Sequence, residues 1–195
     1  MIIIGAGGMG QEILGILLDN DYKGEIIFFD ENQNVDIILD KYLVIHNEKE
    51  IIKYLNNDNR FVVGIGHPRL REKFYKKFLK LGGKPISVIS KDSKIFPNSK
   101  ISEMCIIHPY VGISWGVEIG FGCVLHINCT IGHKVKLGKF VNIGPGANII
   151  GPATINDYSY IGANSVILNN INIGKNVIIN AGKIVDINLK DYETF

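Results

Sequence analysis

From Ile89 onward an aliphatic residue recurs at every sixth position. Ile89, Ile95, Ile101, Ile107, Ile113, Ile119, Leu125 and Ile131 open a series of seventeen that reaches Val185 without a break in register. Four residues after each stands a small or β-branched residue, among them Ser93, Val111, Ala147 and Ser165; the larger Ile171 and Lys183 depart from the rule. Glycine often follows the aliphatic residue directly, as at Gly120, Gly132, Gly144 and Gly162. A helix of 3.6 residues per turn cannot keep a strict period of six. The pattern instead predicts a β-solenoid, in which each short strand turns one large and one small side chain inward and stacked coils bury a continuous apolar column. Cys105, Cys123 and Cys129 fall in the small inward slot and read as core residues, not as ligands or nucleophiles.

The pattern ahead of the repeats is different. Ile2–Ile4 is a short apolar run, followed at once by Gly5-Ala6-Gly7-Gly8-Met9-Gly10. Residues 11–20 then carry apolar positions at helical spacing, and 25–30 form a second strand ending in Asp30. This satisfies GxGxxG, with an acid twenty residues past Gly10. Glycines let the chain turn tightly and bring backbone N–H groups up to an anion at a helix N-terminus. Residues 61–66 are a third buried strand ending in glycine, and residues 69–81 a basic helix read mainly as a solvated face. A full dinucleotide fold needs two such halves, and about 80 residues supply one, enough for a single nucleotide. Gly82-Gly83-Lys84-Pro85 breaks the helix, so the expected domains are 1–84, Rossmann-like, and 85–195, the solenoid.

Composition narrows the function classes. A net charge of +2 and a pI near 8.3 are too weakly basic for a nucleic-acid protein. No apolar run approaches the ~18 residues of a membrane span. The start, Met1-Ile2-Ile3-Ile4, lacks a basic region typical of a signal peptide. Three cysteines in no spaced pair argue against a disulfide framework, and a cytoplasmic protein is expected.

The repeats resemble the hexapeptide acyltransferase superfamily. With the N-terminal Gly5-Ala6-Gly7-Gly8, the Phe29-Asp30-Glu31 strand end, Gly64-Ile65-Gly66 and the histidine of Ile131-Gly132-His133, the chain is similar to the sialic-acid O-acetyltransferase-like family. Within it, the resemblance is to bacterial N-acetyltransferases of nucleotide-linked 4-amino-4,6-dideoxy sugars. It implies a left-handed parallel β-helix of triangular section, three hexapeptides per coil, so that residues eighteen apart stack. It also implies an acetyl-CoA-dependent homotrimer, with acetyl-CoA in a groove between two β-helices and the nucleotide sugar on the N-terminal domain. No metal is expected.

By this resemblance Ala6, Gly7 and Gly8 hold the nucleotide phosphates, and Asp30, Glu31 and Gly66 line that site. His133 is the general base that takes a proton from the attacking amine or hydroxyl, a role an imidazole fills near neutral pH. The tetrahedral oxyanion needs a backbone donor. Gly151, eighteen residues on and so one coil above His133, is the expected one. Asn142, Ala163 and Ala181 are the cofactor contacts. Two positions depart from the family: Lys134 stands where an acid usually follows the histidine, and Asn142 where a second histidine is common. A cation beside His133 disfavours imidazolium. His126, a rival base or substrate contact, stacks on His108; two histidines without a third ligand are weak support for a metal.

The leading expectation is therefore N-acetylation of a nucleotide-linked amino sugar for a surface glycan. O-acetylation of a sugar or sialic-acid hydroxyl would use the same geometry. A catalytically inactive sugar-nucleotide-binding protein is the alternative that Lys134 and Asn142 motivate, and an NAD-dependent enzyme built on Gly5–Gly10 is the remaining one.

Overall fold

The computed structural model describes residues 1–32 and 35–195 and divides into two compact units, Met1–Val88 and Ile89–Phe195. In the first, the order is β1 (Ile2–Ile4), α1 (Gly8–Asp19), β2 (Ile27–Phe29), β3 (Ile37–Ile38), β4 (Tyr42–Ile45), α2 (Glu48–Leu55), β5 (Arg60–Val63), α3 (Pro68–Lys80) and β6 (Lys84–Pro85). One six-stranded sheet runs β3-β4-β2-β1-β5-β6. The β3–β4 pair is antiparallel; the other pairs are parallel. Strand β1 lies at its centre with Ile2, Ile3 and Ile4 at most 1% exposed, which is why it reads as a continuous apolar run and not as an alternation.

Three elements between residues 31 and 60, β3, β4 and α2, were not among those expected from the sequence. Helix α2 buries only Ile51 and Leu55, too few apolar positions to set up a visible period. It is held at its start by Asn47, whose side chain accepts the Glu50 N–H at 3.1 Å and donates to the Glu50 carboxylate at 2.6 Å, a variant of the reciprocal cap. The first unit also extends past Lys84, because Lys84–Pro85 pairs with Arg60–Phe61 as the sheet's edge strand.

In the second unit, two-residue strands centred on the aliphatic positions form parallel sheets of six, six and five strands. The register is eighteen throughout: Ile113 faces Ile131, Leu125 faces Ile143 and Leu137 faces Ile155. From Ile107 to Val185 each inward aliphatic is at most 4% exposed, and each such burial contributes about 1.5–3 kcal/mol. The small slot tolerates polar atoms because they are satisfied. Ser159 Oγ donates to the Gly174 carbonyl at 2.7 Å, Ser165 Oγ to Asn180 at 2.9 Å and Cys123 Sγ to Gly138 at 3.0 Å. Burial pushes the Cys129 thiol up to about 12, leaving it an inert packing group.

The corners follow the same period. Every sixth residue from Asn98 to Gly182 has a positive φ near 55–70°, except Pro152, which cannot adopt one. Asparagine and glycine hold nine of these corners, as the left-handed region favours. Lys134 is one of the remaining residues, at φ 57°.

Candidate functional site

The first unit has a crevice where its topology reverses. The chain passes from β1 to β2 on one side and returns to β5 on the other, and ligands of open α/β sheets settle at the carboxyl ends of strands at such a point. Two glycine segments, 5–8 after β1 and 64–66 after β5, meet there. They pack without room for side chains: a Cβ at Gly10 would stand 1.9 Å from the Gly5 carbonyl oxygen, and one at Gly64 2.8 Å from Gly10 Cα. Gly7 and Gly8 differ, since a Cβ on either meets nothing within 4 Å. They sit at the N-terminus of α1, which has no side-chain cap, so its first amides and dipole face open space suited to an anion.

The remaining residues of the expected nucleotide site are engaged with the protein. Ala6 is buried and donates its N–H to Asp30 Oδ2 at 2.9 Å, while Asp30 Oδ1 accepts the Asn32 N–H at 2.9 Å. Asp30 therefore braces the glycine loop. Glu31 pairs with Lys77. Gly66 is exposed, and its carbonyl accepts from Arg71 Nη1 at 2.9 Å. Arg71 itself was counted in the solvated face of the basic helix, yet it is fully buried and also holds the Ile65 carbonyl at 2.9 Å. It fixes the loop after β5.

His46 was not singled out in the sequence. Its Nδ1 lies 2.7 Å from the Asp30 carbonyl and its Nε2 3.2 Å from Asp36 Oδ1. The Asp30 contact, followed by the Asp36 carboxylate, raises its titration above the ordinary histidine value. The signal available was its place directly after β4, matching that of Asp30 after β2.

In the second unit His133 stands exposed on a corner, two residues past inward Ile131. Gly151 lies one coil above, against the His133 backbone. Its N–H makes no hydrogen bond among the described residues. Gly132 keeps the approach open, as a Cβ there would come within 2.5 Å of the Gly151 nitrogen. His133 and Gly151 border a groove of about 390 Å³, walled by Phe96, Ser114, Thr130 and Ile150. Lys134 is exposed beside them; its N–H donates to the Trp115 carbonyl at 3.0 Å, and its ammonium forms no ion pair among the described residues.

Ala163 and Ala181 stack on another corner, at the opposite end of the strand face that leads to His133. Gly144 and Gly162 do there what Gly132 does below Gly151: a Cβ on them would approach the Ala163 and Ala181 nitrogens to 2.7 and 2.5 Å. Neither amide is bonded among the described residues. Asn142 is 2% exposed and belongs to the preceding strand, beside Val124 and Tyr160. His126 is half-buried, with its ring centroid 4.9 Å from that of buried His108. The structure thus brings together His133 with Gly151, and Ala163 with Ala181, and places Asn142 and His126 apart from the groove.

Residues 1–78 match the family model described as the PglD N-terminal domain. No curated protein sequence matches the chain. Among solved structures, the acetyltransferase domain of PglB from Neisseria gonorrhoeae, in complex with acetyl coenzyme A, is 24% identical over 99% of this chain and 93% of that one, with a TM-score of 0.89. A histidine-to-asparagine variant of perosamine N-acetyltransferase from Caulobacter crescentus, in complex with CoA and GDP-perosamine, is 21% identical over 99% and 91%, TM-score 0.90. WeeI from Acinetobacter baumannii is 23% identical over 99% and 94%, TM-score 0.89. The fold is accordingly the expected one, a short α/β domain of PglD N-terminal type followed by a left-handed parallel β-helix of hexapeptide repeats.

Proposed function

We propose that the protein transfers an acetyl group from acetyl-CoA to the amino group of a nucleotide-linked 4-amino-4,6-dideoxy sugar. The observation that carries this reading is an exposed imidazole, His133, beside a bare amide, Gly151 N–H, on the rim of a mostly apolar groove. The His133 imidazole removes the proton as the amine attacks the thioester carbonyl. The Gly151 N–H stabilises the negative charge that develops on the carbonyl oxygen; collapse of the tetrahedral intermediate then breaks the C–S bond, and CoA leaves as a thiol with the proton returned from His133. The open amides of Ala163 and Ala181 suit the amide carbonyls of the pantetheine arm, and Asn142 joins them as a cofactor contact. In the first unit Gly7 and Gly8 offer a helix N-terminus to the nucleotide diphosphate, with Ala6, Asp30, Glu31 and Gly66 shaping the site around it. The acetyl-CoA and GDP-perosamine complexes of similar folds favour the same pairing of substrates.

Half-exposed Phe96 and Ile150 and more exposed Trp115 lie at or beside the groove. This supports a homotrimer in which a second copy closes it. Among the described residues no helix is long and apolar enough to cross a membrane, and a cytoplasmic location accords with the buried free thiols.

Lys134 favours a second reading, a sugar-nucleotide-binding protein without transferase activity, because no acidic residue supports His133 from that position. Free-thiol release separates the two. The protein is incubated with acetyl-CoA and UDP-, dTDP- and GDP-linked 4-amino-4,6-dideoxy sugars, with sialic acid as a hydroxyl acceptor. Release with an amino sugar is expected. Release with the hydroxyl acceptor alone assigns O-acetylation, and silence with nucleotide sugar bound assigns the inactive reading.

A further inference from the structure

Lys183 breaks the rule of the small inward slot. The residues stacked beneath it, Cys129, Ala147 and Ser165, are completely buried, whereas Lys183 is exposed. Its backbone stays in the ladder: Val166 donates to its carbonyl at 2.8 Å, and its own N–H points to Ser165 Oγ at 3.4 Å. Its ammonium lies 5.8 Å from the centroid of the Phe195 ring and forms no ion pair among the described residues. It follows Ala181 and Gly182, whose corner carries the unbonded amides described above. Of the six stacked turns of this corner, the four beneath Lys183, residues 109–111, 127–129, 145–147 and 163–165, contain no lysine or arginine; Lys91 stands in the turn at the far end, residues 91–93. An unpaired cation beside the two open amides of Ala163 and Ala181 suits a ligand with an anion at that end and a neutral chain along those amides.

We propose that Lys183 anchors a phosphate group of coenzyme A, holding the donor so that its thioester reaches His133. This rests on the acetyl-CoA reading above. Lys183 stands three coils above Cys129, which precedes His133 by four residues. With coils about 4.8 Å apart and about 3.3 Å per residue, the two Cα positions are roughly 19 Å apart. The pantetheine arm has about thirteen bonds from sulfur to the first phosphorus, roughly 16 Å at the advance per bond of an extended backbone. The lysine stem and the imidazole span the remainder.

Isothermal titration of the full chain with CoA, dephospho-CoA and pantetheine tests the assignment, comparing the wild type with Lys183→Ala and Lys183→Arg. Alanine is already accommodated in this slot at Ala147, and a thermal melt checks the fold. Lys183→Ala is expected to weaken CoA binding roughly tenfold or more, to leave pantetheine binding unchanged and to blunt the salt dependence, while Lys183→Arg retains affinity. If dephospho-CoA loses the sensitivity, the 3′-phosphate is the partner; if it keeps it, the diphosphate is. Equal CoA affinity in wild type and Lys183→Ala overturns the proposal and leaves the acetyl-CoA reading standing. A wild type that binds no CoA removes that reading and the proposal with it.

Discussion

The backbone of His133 lies against Gly151 so closely that a Cβ at Gly151 would stand 1.9 Å from the His133 carbonyl oxygen. The contact is between main chains, so the imidazole plays no part in holding the two coils together. His133→Ala is therefore expected to lower kcat by about 10²–10⁴ while leaving the thermal midpoint in place. Thiol release and a melting curve on the same preparation check both halves. Undiminished turnover would move the base to His126.

Gly151→Ala should behave differently. The added methyl group has nowhere to go without separating the coils, and overpacking of this kind costs about 1–3 kcal/mol. Loss of turnover and a lowered unfolding midpoint should appear together. A variant that melts like the wild type would mean that the corner relaxes more easily than its packing implies.

The glycine loop of the first unit separates packing from binding. Gly10→Ala meets the Gly5 carbonyl and should destabilise the unit whether or not ligand is present. Gly8→Val faces open space and should leave stability nearly unchanged, yet raise the KM for the nucleotide sugar much more than that for acetyl-CoA. An equal rise in both constants would remove the nucleotide from this loop.

Arg71 holds the Ile65 and Gly66 carbonyls from a completely buried position. Arg71→Met keeps the length of the side chain and removes its donors. Ile65 is half-buried and Gly66 exposed, so water replaces part of what is lost, and the cost should stay below the roughly 1–3 kcal/mol of a fully buried acceptor left unsatisfied. Urea unfolding should register that loss, and the nucleotide-sugar KM should rise as the loop after β5 loosens.

Burial, with His126 beside it, pushes His108 down to about 4. In the unfolded chain it titrates near 6.5. As pH falls the unfolded state binds the proton first, so stability present above about pH 6.5 is lost progressively down to about 4, by up to roughly 3 kcal/mol. Urea midpoints at pH 7 and pH 5 should fall less in His108→Asn than in the wild type. Identical slopes would mean that another group governs the acid limb.

Much of this was readable along the chain. A period of six with one large and one small inward residue marked a β-solenoid, and the resemblance to the hexapeptide superfamily, which implies three such units per coil, gave the register of eighteen that is observed. The GxGxxG loop marked the crevice of the first unit for the same local reason. Helix α2 escaped notice because two buried residues make no period. Arg71 and His46 escaped because their partners, the Gly66 and Asp30 carbonyls, are backbone atoms with no residue-type signature.

The period, the inward faces and the corner positions were determined by the sequence itself, since side-chain direction alternates with local backbone geometry. The tertiary structure alone decided which backbone groups remain available. It tied the Ala6 N–H to Asp30, left the Gly151, Ala163 and Ala181 amides open, and set Lys183 outside the column that the other occupants of its slot fill. A hydrogen-bonding partner is chosen by whatever segment folds alongside, and that choice is made between residues far apart in the chain.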